Sequence, residues 1–201
     1  NICTMNKIGT SPKVLGLDIS TKTIGWALFD IQKKELLELT HFSPKIKGDY
    51  SKIEEMMLKT EQFKTKISDY QKIGITKVII EEPLLNSNNI RTVSTLMRYN
   101  SFITRVIYET LGIVPDFIST YNSRKYAFPE LFTENTKGKK VLFGKYDVGC
   151  DKKNIIWQHV SDKEPHLTWT YTRNNTLKKE NYDMADAYTC VRGHMKQNNI
   201  W

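Results

Sequence analysis

A carboxylate set into an apolar strand constrains this chain more than any other feature. The run Lys13-Val14-Leu15-Gly16-Leu17-Asp18-Ile19 is apolar apart from its first residue and Asp18. A polar turn, Ser20 to Thr23, separates it from Ile24-Gly25-Trp26-Ala27-Leu28-Phe29-Asp30. Two such runs across so short a turn predict a hairpin. A carboxylate inside a buried strand is costly unless it is paired, hydrogen-bonded or holding a metal. Taken alone, a hydrogen-bonding or capping role for Asp18 explains it as well as a catalytic one, so the rest of the chain has to decide.

Glu35 to His41, with Leu36, Leu37 and Leu39 among polar residues, is a plausible third strand. From Tyr50 to Ile73 the apolar residues Ile53, Met56, Met57, Phe63, Ile67 and Tyr70 recur at helical spacing, and Gly74 follows. Lys77-Val78-Ile79-Ile80-Glu81 reads as a buried strand stopped by Pro83, which cannot continue a central ladder. A second helix is predicted from Ile90 to Leu111, closed by Gly112. Its apolar arc is wide: Val93, Met97, Ile103 and Ile107 on one face, Tyr99, Phe102 and Val106 beside it. Such a helix is buried on two sides. Val114 to Ser119 predicts a short strand and Asn122 to Phe128 a short helix. Glu130 to Lys153 is polar, rich in Lys and Gly, and the most loop-like stretch. Lys153 to Val160 reads as helical, Asp162 to Lys179 as irregular or a small hairpin around Trp169 and Tyr171, and Tyr182 to Lys196 as a closing helix.

Three further acids stand out by position among the 22 Asp plus Glu. Glu81 leaves its strand at the edge where open α/β sheets gather ligands. Glu82 follows it, and alternation sends the two to opposite faces, so one of them faces any site there. Asp183 and Asp186 are three apart in Tyr182-Asp183-Met184-Ala185-Asp186-Ala187-Tyr188, a spacing that puts both on one helix face. Favourable charge at a helix N-terminus also suits Asp183; a solvated role suits Asp186 less well. Carboxylates of this kind suit a hard cation, Mg²⁺ or Mn²⁺, and two such ions about 3.5–4 Å apart serve phosphodiester hydrolysis.

The charge of +8 favours contact with a polyanion without separating nucleic acid from an acidic membrane. Cys3, Cys150 and Cys190 include no CxxC pair, so neither a disulfide framework nor a cysteine zinc site is implied, and a reducing, cytoplasmic setting is expected. No run approaches a membrane span of roughly 18–20 apolar residues, so no membrane partner is expected. His41, His159, His166 and His194 have no metal-ligand spacing, and no Ser/His/Asp or Cys/His nucleophile set is visible.

The order of strands and acids resembles the RuvC-type Holliday junction resolvases of the retroviral-integrase/RNase H superfamily. Three pieces carry the resemblance, which spans most of the chain in outline: Val14-Leu15-Gly16-Leu17-Asp18-Ile19-Ser20 with Gly25-Trp26-Ala27; Ile79-Ile80-Glu81-Glu82-Pro83; and Asp183-Met184-Ala185-Asp186-Ala187. It implies an α/β fold, an RNase H-like mixed five-stranded sheet whose first three strands are antiparallel, with helices on both faces. Residues 1–201 are then expected to form one nuclease domain with inserted loops at 130–152 and 162–180. The implied activity is a structure-selective endodeoxyribonuclease resolving four-way junctions. The resemblance favours Glu81 over Glu82 and implies that Asp18, Glu81, Asp183 and Asp186 bind two Mg²⁺ ions, with Mn²⁺ substituting. Asp18 would bridge, Glu81 and Asp186 would be further ligands, and Asp183 a ligand or the group orienting water. A homodimer through helix 90–111 is also implied. A ribonuclease H of the hybrid type would carry its Glu on the first helix, and integrases close with a Glu on the late helix; the acids here follow the resolvase order. Where the family often has an aromatic residue after the strand Glu, this chain has Pro83-Leu84-Leu85, so Leu84 is either a wedge at the junction or a core leucine.

Arg124 and Lys125 beside Tyr121 and Tyr126, with Lys137, Lys139, Lys140, Lys152 and Lys153 in the long loop, are candidate phosphate contacts as well as ordinary surface charges. Three other readings stand beside the junction resolvase. The same nuclease could act on flaps, forks or other branched DNA. The chain could be a non-catalytic nucleic-acid-binding module. The Asp18-to-Thr23 turn is also similar to the phosphate loop of actin-like ATPases, although those need a second domain and a late Gly-rich segment, and this chain has 10 Gly and no Gly-Gly pair. A phage- or virus-encoded recombination role would suit such a domain.

Overall fold

Alternation along the first strands decides which face of the sheet each helix covers. The computed structural model describes residues 11–83 and 89–201. Strand β1 (Lys13–Ile19) pairs antiparallel with β2 (Ile24–Asp30), which pairs antiparallel with β3 (Glu35–Phe42). On its other edge β1 runs parallel to β4 (Ile75–Glu81), and β4 parallel to β5 (Asp116–Ile118), giving the order β3-β2-β1-β4-β5. Leu15, Leu17 and Ile19 of β1, with Val78 and Ile80 of β4, pack under α1 (Lys52–Ser68) and α2 (Ile90–Leu111). Val14, Ala27, Phe29 and Ile79 pack on the opposite face, against α3 (Thr120–Ala127), α4 (Lys152–Lys163) and α5 (Glu180–Gln197). This is the mixed five-stranded sheet, covered on both faces, that the resemblance implies.

The helix expected from Tyr50 to Ile73 is shorter at its far end. Ser51 caps it reciprocally with Glu54: the Glu54 N–H donates to Ser51 Oγ at 3.3 Å and the Ser51 N–H to Glu54 Oε2 at 2.8 Å, a motif of about 1 kcal/mol. After Ser68 the amides of Tyr70, Gln71 and Ile73 reach back only three residues, to Ile67, Ser68 and Tyr70. Tyr70 nevertheless stays buried, its ring 4.7 Å from that of Trp26, so the helical spacing of apolar residues outlasts the helix. Gly112 ends α2 at φ +70°, its N–H donating to Tyr108 O at 2.9 Å, a left-handed cap that costs glycine no steric strain.

The stretch 130–152 is less loop-like than its composition suggests. After a 3-10 turn (Pro129–Leu131) come β6 (Phe132–Glu134) and β7 (Lys140–Leu142), an antiparallel hairpin. Asn135 closes its tip by accepting the N–H groups of Lys137 and Lys139 at 3.0 Å each. Segment 162–180 carries one isolated bridge, Tyr171 to Leu177, in keeping with the small hairpin expected there. No helix among the described residues is long and apolar enough to cross a membrane.

Candidate metal centre and nucleic-acid cleft

The parallel strands β1, β4 and β5 end along one edge of the sheet, and the acids gather there. On β1, period two puts Asp18 on the same face as Val14, the face that α5 covers. On β4 the same rule puts Glu81 with Ile79 on that face. Leu17 pairs with Ile80 in the parallel register, so Asp18 and Glu81 are the next neighbours along the two strands. Glu82 follows the strand, exposed, with its N–H bonded to Ile118 O; Glu81 is the member of the pair that faces α5. Asp183 and Asp186 sit in the first two turns of α5, Asp186 only 3% exposed.

Two cations and two neutral donors complete the cluster. Arg124 of α3 donates through Nη2 to Asp186 Oδ1 at 3.1 Å, and both side chains are buried. Lys153, in the first turn of α4, lies 3.6 Å from Asp183 Oδ1 and 3.6 Å from Asp186 Oδ2. Thr120, the first residue of α3, donates to Glu81 Oε1 at 2.5 Å, and the buried Cys190 thiol lies 3.5 Å from Glu81 Oε2.

Asp18, Glu81 and Asp183 hold their protons unusually tightly. Burial first, then the neighbouring Glu81, Asp186 and Asp183, push the Asp18 carboxyl well above the usual range, with Lys153 pulling against them. Glu81 is pushed up to about 7, by burial and then by Asp186, against the Thr120 hydrogen bond and Arg124. Burial lifts Asp183 to about 6, with Lys153 opposing. Burial pulls the Lys153 ammonium down, yet the surrounding carboxylates outweigh it and hold its pKa above the ordinary value. Acids that raise one another's pKa in this way favour a cation among them.

No set of three or more His, Cys, Asp or Glu among the described residues is disposed as it stands to hold a metal ion. Lys153 and Arg124 instead balance the carboxylate charge. The donors nonetheless fit a hard divalent cation in chemistry: they are carboxylate oxygens, with mutual repulsion that such a cation relieves.

Of the candidate phosphate contacts, Arg124 and Lys153 touch the acids directly. Arg124 is buried against Asp186 rather than presented to solvent, so its first partner is a carboxylate. Lys125 lies over the rings of Tyr126 and Phe132 at 5.5 and 5.0 Å, and Lys152 lies 5.8 Å from the Phe143 ring. Lys139 and Lys140 are exposed on the β6–β7 hairpin. Leu84, the candidate wedge, lies outside the described residues. Sequence reasoning missed Thr120 and Cys190, and also Lys22, Lys45 and Lys179. These three lysines line, with Ser20, Lys153 and Asp183, a cleft of about 690 Å³ beside the acids. Cys190 was within reach of sequence, since it is four residues beyond Asp186 and shares its helix face.

No protein-family model and no curated protein matches this sequence. Solved structures do match. RuvC of Thermus thermophilus in complex with Holliday junction substrate superimposes with a TM-score of 0.61 at 9% identity, over 94% of this chain and 95% of that one. A second Thermus thermophilus RuvC structure gives 0.57 at 10% identity, over 94% and 96%. The yeast mitochondrial Holliday junction resolvase Ydc2 gives 0.56 at 13% identity, over 97% and 82%. At these identities the likeness is one of fold, and the fold is the RuvC-type variant of the RNase H-like sheet.

Proposed function

We propose that this chain is a structure-selective endodeoxyribonuclease that cuts four-way DNA junctions by metal-assisted phosphodiester hydrolysis. The observation that carries the reading is the gathering of Asp18, Glu81, Asp183 and Asp186 at one edge of a RuvC-type sheet, beside a lysine-lined cleft. These four carboxylates would hold two divalent cations, Mg²⁺ or Mn²⁺, which supply an acidified water and charge neutralisation at the phosphate when bound. The chain's own residues prepare that site. Thr120 and Cys190 fix the orientation of the Glu81 carboxylate from its two sides. Arg124 fixes that of Asp186. Lys153 is half-exposed, so it can turn from the acids to a backbone phosphate. Lys22, Lys45 and Lys179 grip the phosphates of the strand in the cleft, positioning it without reading its sequence. Lys125, Lys139, Lys140 and Lys152 extend the basic surface toward the duplex arms.

The test compares wild type with Asp186→Asn on labelled four-way junctions, flaps and linear duplex, scoring cutting in Mg²⁺ and binding in Ca²⁺ or EDTA. Paired symmetric nicks confined to the junction, lost in Asp186→Asn while binding survives, are expected. Cutting that favours flaps reassigns the substrate, and no metal-dependent cutting of any substrate sinks the enzyme reading.

Symmetric nicks need two sites related by a twofold axis, and the outer face of α2 supports a homodimer. Ile90, Met97 and Tyr108 are 81%, 47% and 57% exposed, and Met97 and Tyr108 border an apolar hollow of about 540 Å³ against Val114 and Phe117. Exposed apolar surface of this kind marks an interface. Sedimentation should find a dimer at micromolar concentration and a monomer for Tyr108→Glu; a wild-type protein that stays monomeric removes the dimer.

A further inference from the structure

The segment between α4 and α5 carries no acid from Pro165 to Lys179, yet it holds Arg173, Lys178 and Lys179. It folds into a hairpin rather than a loose loop. Tyr171 and Leu177 face each other across the antiparallel bridge, the Thr172 N–H donates to Thr176 O at 2.8 Å, and the Asn175 N–H closes the turn on Thr172 O at 3.0 Å. Asn175 takes φ +56°, so Arg173-Asn174-Asn175 is a three-residue hairpin loop, a turn followed by one left-handed residue. Asparagine is among the few side chains that visit that conformation. Below the tip the Thr172 and Thr176 hydroxyls bond each other at 2.6 Å.

A two-stranded hairpin is marginal on its own, and this one is clamped at its base. Asn181, 1% exposed in the first turn of α5, accepts the Thr170 N–H and hydroxyl at 3.3 and 3.2 Å and donates to Thr170 O at 2.6 Å. Beside it the Trp169 indole donates to Ser161 Oγ of α4 at 3.2 Å and meets the Trp157 ring edge-on, centroids 5.9 Å apart. The hairpin is therefore held by the two helices that bring Lys153 and Asp183 to the lysine cleft, and Lys179, just past its second strand, lines that cleft. Above the clamp, Tyr171 to Thr176 are all exposed.

The tip presents a guanidinium and short polar side chains, which suit phosphate oxygens and the wet edges of a groove better than an apolar protein surface. The DNA major groove, about 12 Å wide, admits a two-stranded ribbon. A rise of about 3.3 Å per residue puts the tip on the order of 13 Å beyond Thr170, or about four nucleotides along a strand at about 3.4 Å each. We propose that hairpin 170–178 lies in the groove of the duplex arm beside the cut strand and holds that arm by its phosphates, about three to six nucleotides from the scissile bond. The inference rests on the junction-cutting reading above. A clamp at that place fixes the branch relative to the acids without reading sequence.

Four-way junctions carrying a short block of neutral methylphosphonates at successive positions along an arm are titrated in Ca²⁺ with wild type, Arg173→Ala, Arg173→Lys and Lys33→Ala. Lys33 is an exposed cation on the β2–β3 turn, at the far end of the sheet from the acids. One block, about three to six nucleotides from the branch, is expected to weaken wild-type binding about fivefold to tenfold and to cost Arg173→Ala nothing further. On unmodified junctions Arg173→Ala should bind weaker by a similar factor, with a salt slope lower by about one. Arg173→Lys, which keeps the charge, should stay within about twofold of wild type, and Lys33→Ala should keep the wild-type profile. Circular dichroism checks that each variant folds. If no block distinguishes wild type from Arg173→Ala, or if Lys33→Ala loses the same profile, the hairpin contact is overturned whatever the cutting in Mg²⁺ shows. Position-specific coupling without cutting keeps the contact and removes only the nuclease reading, and failure to bind any junction overturns both.

Discussion

Asp18→Asn is expected to lower metal-dependent junction cutting by at least about a hundredfold, a loss that even outer-shell changes at metal sites reach. In the same molecule it should raise the melting temperature of the metal-free protein. Both outcomes follow from one carboxylate. Asp18 stands on a central strand, desolvated and facing Glu81, Asp183 and Asp186, so its charge is unfavourable until a cation arrives. Asn keeps the shape and removes the charge. Asp183 and Glu81 have folded-state pKa values of about 6 and about 7, above those of an unfolded chain, and Asp18 is raised as well. Their protonation therefore contributes stability that is fully present below the ordinary carboxylate range and lost as pH rises through 6 and 7. Wild type in EDTA should thus lose melting temperature between about pH 5 and pH 8 and regain it in Mg²⁺. Asp18→Asn should show a shallower fall and no Mg²⁺ effect, standing roughly 3–8 °C above wild type at pH 8 without metal. A variant less stable than wild type under those conditions would mean that Asp18 is a hydrogen-bonding strand residue, the role its local sequence alone allows.

What the sequence revealed and what it concealed divide along the range of the interactions. Asp18, Glu81 and the Asp183–Asp186 pair were legible because strand alternation and helix spacing are local rules that also fix which face a side chain takes. Choosing Glu81 over Glu82 needed only the knowledge that Ile79 is buried beneath α5, which alternation then transmits to Glu81. The Arg124–Asp186 and Lys153–Asp183 contacts join residues 62 and 30 apart along the chain, and no period reports such pairs. Arg124 was read as a surface cation because helix periodicity cannot tell a buried arginine with a partner from an exposed one. The β6–β7 hairpin was hidden for a different reason. Its strands have three residues each, too few to show alternation, and Asn135 makes its tip from side-chain bonds inside a Lys- and Gly-rich run.

Gly25→Ala, a change of one methyl group on a strand that carries none of the four acids, is expected to remove most of the proposed metal-dependent cutting. Gly25 pairs with Asp18 across β1 and β2, and the main chain at Asp183 lies directly against it. A Cβ there would coincide with the Asp183 carbonyl and stand 3.0 Å from the Met184 nitrogen, both backbone atoms that no rotamer can move aside. The first turn of α5 must lift from the sheet, taking Asp183 and Asp186 away from Asp18. Overpacking of this kind destabilises by about 1–3 kcal/mol, and a displacement of about 1 Å in a catalytic constellation can cost on the order of a hundredfold in rate. Gly16→Ala separates the two effects. Its Cβ would meet Val191 Cγ2 and the Ala187 carbonyl, further along α5 and beyond both aspartates, so a similar loss of melting temperature should come with a smaller loss of cutting. Measuring melting temperature and single-turnover cutting for both variants decides the matter. Equal losses of activity at equal losses of stability would show that α5 moves as a rigid rod or that the protein merely unfolds. Wild-type cutting by Gly25→Ala would mean that the acids need not converge as closely as the contact at Gly25 holds them, and with that the candidate metal centre would lose its structural basis.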